Sequence, residues 1–380
     1  MHRHSIIAGL ACALAASTAL TANAQTAFNR IASFEVVDNM PDGADVSRET
    51  SAEIIAATAD GMTLVYSDSP LGAVGFVDIT DPANPAASGL VEVDGEPTSV
   101  AVADGSVLVG INTSESYTEP TGRIDAIDIA TRAVAGSCDL GGQPDSIAVA
   151  PDGSFVAIAI ENERDEDLND GVIPQLPAGN LTIVGLTANG LDCASLRVVE
   201  LAGLAEVAPD DPEPEFVAIN GQNEIAVTLQ ENNHVVIVDG GSGEIVAHWS
   251  AGAVDLVDVD TEEEGAITFG GSLEGVVREP DAIKWVDDER LITANEGDYE
   301  GGSRGFTIFA KDGTVLYESG LELEYAVARA GHYPEERSGN KGAEPEGVEV
   351  GVFGDDRYLF VATERAGLIG VYLDAGDTPT

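Results

Sequence analysis

Residues 278–285 read REPDAIKW: a proline between two acids, followed at once by apolar residues at every second position. Four relatives of this stretch recur, GEPTSVAV at 95–102, GQPDSIAV at 142–149, PEPEFVAI at 212–219 and AEPEGVEV at 343–350. The apolar pairs Val100/Val102, Ile147/Val149, Val217/Ile219, Ile283/Trp285 and Val348/Val350 have period two, so each relative opens a strand. Proline fits there, because the first residue of a strand need not donate to the ladder.

Each strand runs into a turn, ADG at 103–105, PDG at 151–153, NGQN at 220–223, DDE at 287–289 and GDD at 354–356. Second and third apolar strands follow, such as FVAIAIEN and NLTIVGL, or YLFVATER and LIGVYLD. An earlier copy without the proline begins at Ser51, giving six copies of a three-to-four-strand meander. Repetition of that unit predicts an all-β fold, a β-propeller of six four-stranded blades. A seventh blade is expected if residues 253–275 hide a degenerate copy; otherwise that stretch is an insertion between blades four and five. The last copy ends after its third strand, and FNRIASFEVVD at 28–38 reads as a strand that completes it and closes the ring.

Residues equidistant from a hairpin turn face each other across the strand pair. Asp145 with Glu161, Glu215 with Glu231, Asp281 with Glu296, Glu346 with Glu364, and Glu53 with Asp68 straddle their turns in this way. Blade two departs, with Thr98 facing Asn112. About ten carboxylates on one rim raise one another's pKa unless a positive charge sits among them. Calcium is the expected cofactor, a hard cation that takes about six to eight oxygens in a tolerant geometry. The other reading is that the acids orient loops by bonding backbone amides. Histidines 234, 248 and 332 are scattered in the sequence, which argues against zinc. A second acidic locus, DEDLNDG at 165–171, alternates oxygen donors through Asp165, Asp167 and Asn169, with Asp170 beside them. It lacks the glutamate that an EF-hand needs at its twelfth position.

Composition narrows the partners. Sixty-seven acidic residues against 17 lysines and arginines give a formal charge of -50, which repels nucleic acid and anionic lipid and attracts divalent cations. Residues 1–24 read as a signal peptide ending in Ala22-Asn23-Ala24, so an exported protein, periplasmic or extracellular, is expected, with residues 25–380 as a single domain. A lipoprotein anchored at Cys12 is the alternative, and Gly9-Leu10-Ala11 is a poor lipobox. No later run is long enough to cross a membrane as a helix. Export leaves Cys138 and Cys193, which form either one disulfide or two separate buried thiols. The oligomeric state is not readable.

Ten of the 17 basic residues lie between Arg278 and Arg365. Arg304, His332, Arg337, Lys341 and Arg365 fall on connections leading to the rim, where they would clamp a small anionic or phosphorylated ligand, or else neutralise local acids. GGSRG at 301–305 matches a nucleophile motif around Ser303 but sits between strands, where the elbow requires a strand followed by a helix.

The stretches GGQPDSIAVAPDGSFVAIAIENERDEDLNDGVIPQLPAGNL, EPEFVAINGQNEIAVTLQENNHVVIVD, GDYEGGSRGFTIF, GHYPEERSG and EPEGVEVG resemble exported bacterial propellers of the esterase-like-activity-of-phytase group. The related choice-of-anchor and mesenchyme-specific cell-surface glycoprotein propellers show the same pairing of EPEGV with ATER. The resemblance spans roughly residues 28–373 and implies a propeller, export and phosphoester chemistry. Longer members of the group carry a further phytase-like region. Two functions are therefore expected: a calcium-dependent phosphoesterase, or a non-catalytic ligand-binding propeller with structural calcium.

Overall fold

The alternating segments fold as antiparallel meanders, each strand pairing with the next in sequence. The computed structural model describes residues 28–376 and 378–380; the signal-peptide reading and Cys12 lie outside them. Blade one comprises β1 (Ile55–Ala57), β2 (Thr63–Asp68), β3 (Ala73–Asp78) and β4 (Ala86–Glu92); blade two, β5 (Glu96–Ala103), β6 (Ser106–Asn112), β7 (Gly122–Asp128) and β8 (Val134–Asp139). Blade three contains β9 (Pro144–Val149), β10 (Phe155–Ile160), β11 (Asn180–Thr187) and β12 (Gly190–Glu200). Blade four contains β13 (Pro214–Ile219), β14 (Glu224–Leu229), β15 (His234–Asp239) and β16 (Ile245–Ser250). A two-stranded ribbon, β17 (Ala253–Val259) with β18 (Gly271–Val277), comes next. Blade five has β19 (Ile283–Asp287), β20 (Arg290–Asn295), β21 (Gly305–Ala310) and β22 (Val315–Glu318). Blade six has three strands, β23 (Pro345–Phe353), β24 (Asp356–Thr363) and β25 (Leu368–Leu373).

The six-bladed propeller is therefore as expected, and residues 253–275 form an insertion. The ribbon buries Leu256 and Val259 against Leu321 and Tyr325, at the start of the helix α1 (Glu322–Ala330). The closing strand expected over 28–38 is not formed. Val36–Asn39 turn into a 3-10 helix, because Asn39 is captured by blade one: its amide donates to Tyr66 Oη and Phe76 O, and its Oδ1 accepts from Ser88 N and Gly89 N.

Apolar side chains from facing sheets bury one another in five successive clusters, joining blades one to two, two to three, three to four, four to five and five to six. Every residue of β10 is buried, because a middle strand has a blade on each side. The outer strands of blades two and three are further joined by a disulfide between Cys138 and Cys193, whose Cα atoms are 5.4 Å apart.

The inner strands carry a device that residue counting does not reveal. In blade three Ile158 pairs with Ile147 but Ile160 pairs with Pro144, so one extra residue, Asp145, is accommodated on β9. The same bulge places Thr98 in blade two, Glu215 in blade four and Glu346 in blade six as the additional residue. In blade five Asp281 N donates to Ala294 O while Ala294 N donates to Ala282 O, and in blade one Glu53 and Ile54 share Ser67 likewise. A bulge bends the strand and re-aims a side chain. It also frees backbone groups, and neighbouring blades bond several of those nearby: Ile147 N donates to Ser99 Oγ, Val217 N to Ser146 Oγ, and Thr228 Oγ1 donates to Asp281 O.

Candidate metal centre

The residue after each proline is thus turned out of the ladder at the inner end of its blade. Glu53, Thr98, Asp145 and Glu215 from four bulges line one funnel with Glu96, Glu161, Glu163, Glu231, Glu296 and Asp298; its cavity is about 380 Å³. Polar groups dominate its wall.

Charge is distributed unevenly in the funnel. Glu161, Glu215 and Glu231 each bring a carboxylate oxygen within 4.8 Å of the other two. Among the described residues, no basic side chain forms an ion pair with Glu161 or Glu215. Glu231 is buried and has one oxygen bonded, Oε1 accepting from Arg164 Nη1 at 2.7 Å, while its Oε2 lacks a hydrogen bond. Burial and the surrounding acids push Asp145 up to about 7 and Glu161 and Glu215 well above the ordinary carboxylate range. Burial pushes Glu231 up to about 7 despite the opposing pull of Arg164.

Arg164 enters from the long loop after β10. It is 5 % exposed, and besides Glu231 it meets Glu213 at 3.3 Å and Asp298. Asp298 also lies 3.5 Å from Lys341, whose Nζ donates to Glu296 at 2.9 Å. The loop bearing Asp298 is pinned by buried Glu279, which accepts from the amides of Asp298, Tyr299 and Glu300. Gly302 must be glycine here: its φ is +140°, and a Cβ would lie 1.8 Å from the Glu296 carbonyl oxygen.

A second trio, Glu296, Glu344 and Glu364, is equally tight but already neutralised. Lys341 bonds Glu296; Arg337 and Arg365 bond Glu344; Arg365 also meets Glu364 at 3.1 Å. Burial works to raise Glu344, but those two guanidiniums hold it below its ordinary value.

Residues 53–301 and 299–376 match the choice-of-anchor I domain. The chain belongs to the choice-of-anchor I family. Membership places it among surface-associated or exported propellers. No helix among the described residues is long and apolar enough to cross a membrane. No curated protein matches. Among solved structures, virginiamycin B lyase of Staphylococcus aureus is similar at a TM-score of 0.50 and 14% identity, over 86% of this chain and 85% of that one. A hydrazine synthase of Kuenenia stuttgartiensis gives 0.47 and 16%, over 68% and 70%. At 14% identity the likeness to the lyase shows the fold alone.

In this choice-of-anchor I propeller, Asp145 and Glu161 share the rim, as do Glu215 and Glu231, though not directly opposite: the bulge sets Glu161 N against Gln143 O. Asp281 stands beside Glu296 and Glu346, both of which help to push it upward after burial itself. Asp68 turns away to the hydroxyl of Thr50 and the amides of Ser51 and Leu71. In the acidic loop, Asp165 Oδ1 accepts from Asp167 N, and neither residue joins either carboxylate trio; Asn169 and Asp170 are exposed. Of the predicted anion residues, Arg337, Lys341 and Arg365 gather on the second carboxylate trio as its counter-charges, whereas Arg304 and His332 do not join them. Arg304 is buried on the carbonyls of Asp260, Ser338 and Asn340, His332 bonds Ala366 O at 3.2 Å, and Lys341 alone reaches the funnel's lining carboxylates. Arg164, Glu213 and Asp298 were not among the predicted residues. The signal for Arg164 is a single basic residue inside ENERDEDLND.

Proposed function

We propose that this chain is an exported propeller that binds a hard divalent cation, calcium above all, in its axial funnel. Glu161, Glu215 and Glu231 supply the first oxygens and Asp145 stands beside them. The observation that carries the reading is the convergence of these three carboxylates, two without an ion-pair partner and the third with an orphaned buried oxygen. An all-oxygen donor set suits calcium, and the bulges hold the inner-strand acids on the ring instead of on mobile loops. The cation's role on this reading is to fasten the inner ends of the blades and to present open coordination positions to a ligand.

Phosphoester hydrolysis is an extension of this reading. Bound calcium would act as a Lewis acid toward a phosphoryl oxygen, and Arg164, the basic side chain lining the funnel, would meet a further oxygen. Calorimetric titration of the purified chain with calcium tests the core proposal. Stoichiometric binding that falls at least tenfold in Glu215→Gln is expected, and unchanged binding would sink it. Assays of the calcium-loaded chain against generic phosphomonoesters and phosphodiesters separate the hydrolase from the binding module.

A further inference from the structure

Two of the histidines that look scattered in the sequence meet in blade four. His234 on β15 lies opposite Ser250, and His248 on β16 lies opposite Val236, so the two imidazoles are diagonal neighbours on one face. His234 Nε2 and His248 Nδ1 are 3.0 Å apart. His234 is 3 % exposed, whereas His248 stands at the surface.

A hydrogen bond between the rings does not satisfy this arrangement. One proton is shared, and His234 Nδ1 remains buried without a partner whichever tautomer is drawn. Burial, then proximity to His248, pushes His234 down to about 4, so its ring stays neutral with a lone pair available throughout the physiological range. Two ligand nitrogens about 2.0–2.1 Å from a metal and at right angles to each other are about 2.8–3.0 Å apart, the cis spacing of a tetragonal site. The pair already has nearly that separation, and His248 is exposed enough to turn its lone pair toward an incoming ion.

We propose that His234 and His248 form a two-imidazole site for a tetragonal transition-metal ion, Cu(II) by preference, with water filling the remaining positions. The Irving–Williams order places copper first for such donors. Among the described residues the competing thiols, Cys138 and Cys193, are tied in a disulfide, and the acidic surface concentrates divalent cations around the molecule. His234 lacks the second partner that usually steadies a metal-bound imidazole, so affinity in the micromolar range is expected. Neither histidine lines the carboxylate funnel.

The test is Cu(II) titration of the full chain carrying His2→Ala, His4→Ala, Cys12→Ser and His332→Ala, in saturating calcium to occupy oxygen sites, read by electron paramagnetic resonance. One copper per chain with superhyperfine coupling from two nitrogens is expected. Adding His248→Ala should remove that coupling and weaken binding at least tenfold, while the chain remains folded in chelator by circular dichroism. An oxygen-only spectrum, or a spectrum and affinity unaffected by His248→Ala, overturns the site.

Discussion

Arg164 Nη1 lies 2.7 Å from Glu231 Oε1, joining the long loop of blade three to the inner end of blade four. The guanidinium neutralises one edge of the funnel and leaves the other edge to a cation. Removing one partner of a buried ion pair costs about 3–5 kcal/mol, because the remaining charge stays buried and uncompensated. Arg164→Met should therefore lower the melting temperature strongly in chelator, and calcium should restore more of it than in the parent chain. Differential scanning fluorimetry with and without calcium measures both. Equal calcium gains in the two proteins would show that Glu231 does not serve both charges.

The two trios predict different responses to the same chemical change. Glu215→Gln removes a ligand that has no ion-pair partner among the described residues, whereas Glu364→Gln alters a group already held by Arg365. The first should weaken calcium at least tenfold and the second by less than about threefold, a difference of roughly 0.7 kcal/mol or more. Titration of both variants decides which edge takes the ion.

The dependence on pH follows from Asp145 and Glu231, each raised to about 7 from ordinary values of 3.8 and 4.5. With folded values above unfolded ones, the native state binds more protons, so stability falls as pH rises. That contribution is fully present below about pH 4 and is lost as pH climbs through about 7. In chelator the melting temperature should drop between pH 5 and 8 on this account. Calcium needs the ionised forms, so its binding should release protons near pH 6, measurable as a buffer-dependent enthalpy. Chelation should lower the melting temperature even in molar sodium chloride, which screens repulsion without replacing ligation. A pH-independent melting curve in chelator would remove the basis for this coupling.

The disulfide closes a separation of 55 residues between the outer strands of blades two and three. By the chain-entropy account, a loop of that size contributes about 4 kcal/mol. Cys138→Ser with Cys193→Ser should lower stability by about that amount in denaturant titration, while calcium affinity stays within about twofold because the funnel lies at the inner strands.

The propeller was legible because its strands alternate and its punctuation repeats: a proline, an acid, a short turn. The carboxylate rim was legible for the same reason. Counting from the turn could not reveal the bulge at Asp145, since an extra residue on one strand leaves the apolar alternation beyond it intact. Arg164 escaped because a lone guanidinium among acids reads as a solvated charge, and only the fold brings Glu213, Glu231 and Asp298 around it. The segment 28–38 alternates well enough to suggest a strand, but Asn39 outweighs it with four hydrogen bonds to blade one. His234 and His248 are equidistant from Gly241, so the symmetry that found the acids applies to them as well.

The hydroxyl contacts between neighbours give the ring an unexpected grammar. Ser99 holds the amide of Ile147 and Ser146 holds that of Val217, so the postures of Asp145 and Glu215 are set partly by the preceding blade. A blade copied alone into another ring would bring its carboxylate but not the hand that aims it. The smallest unit that duplication or grafting can move with its chemistry intact is therefore a joint, made of the inner halves of two neighbouring blades.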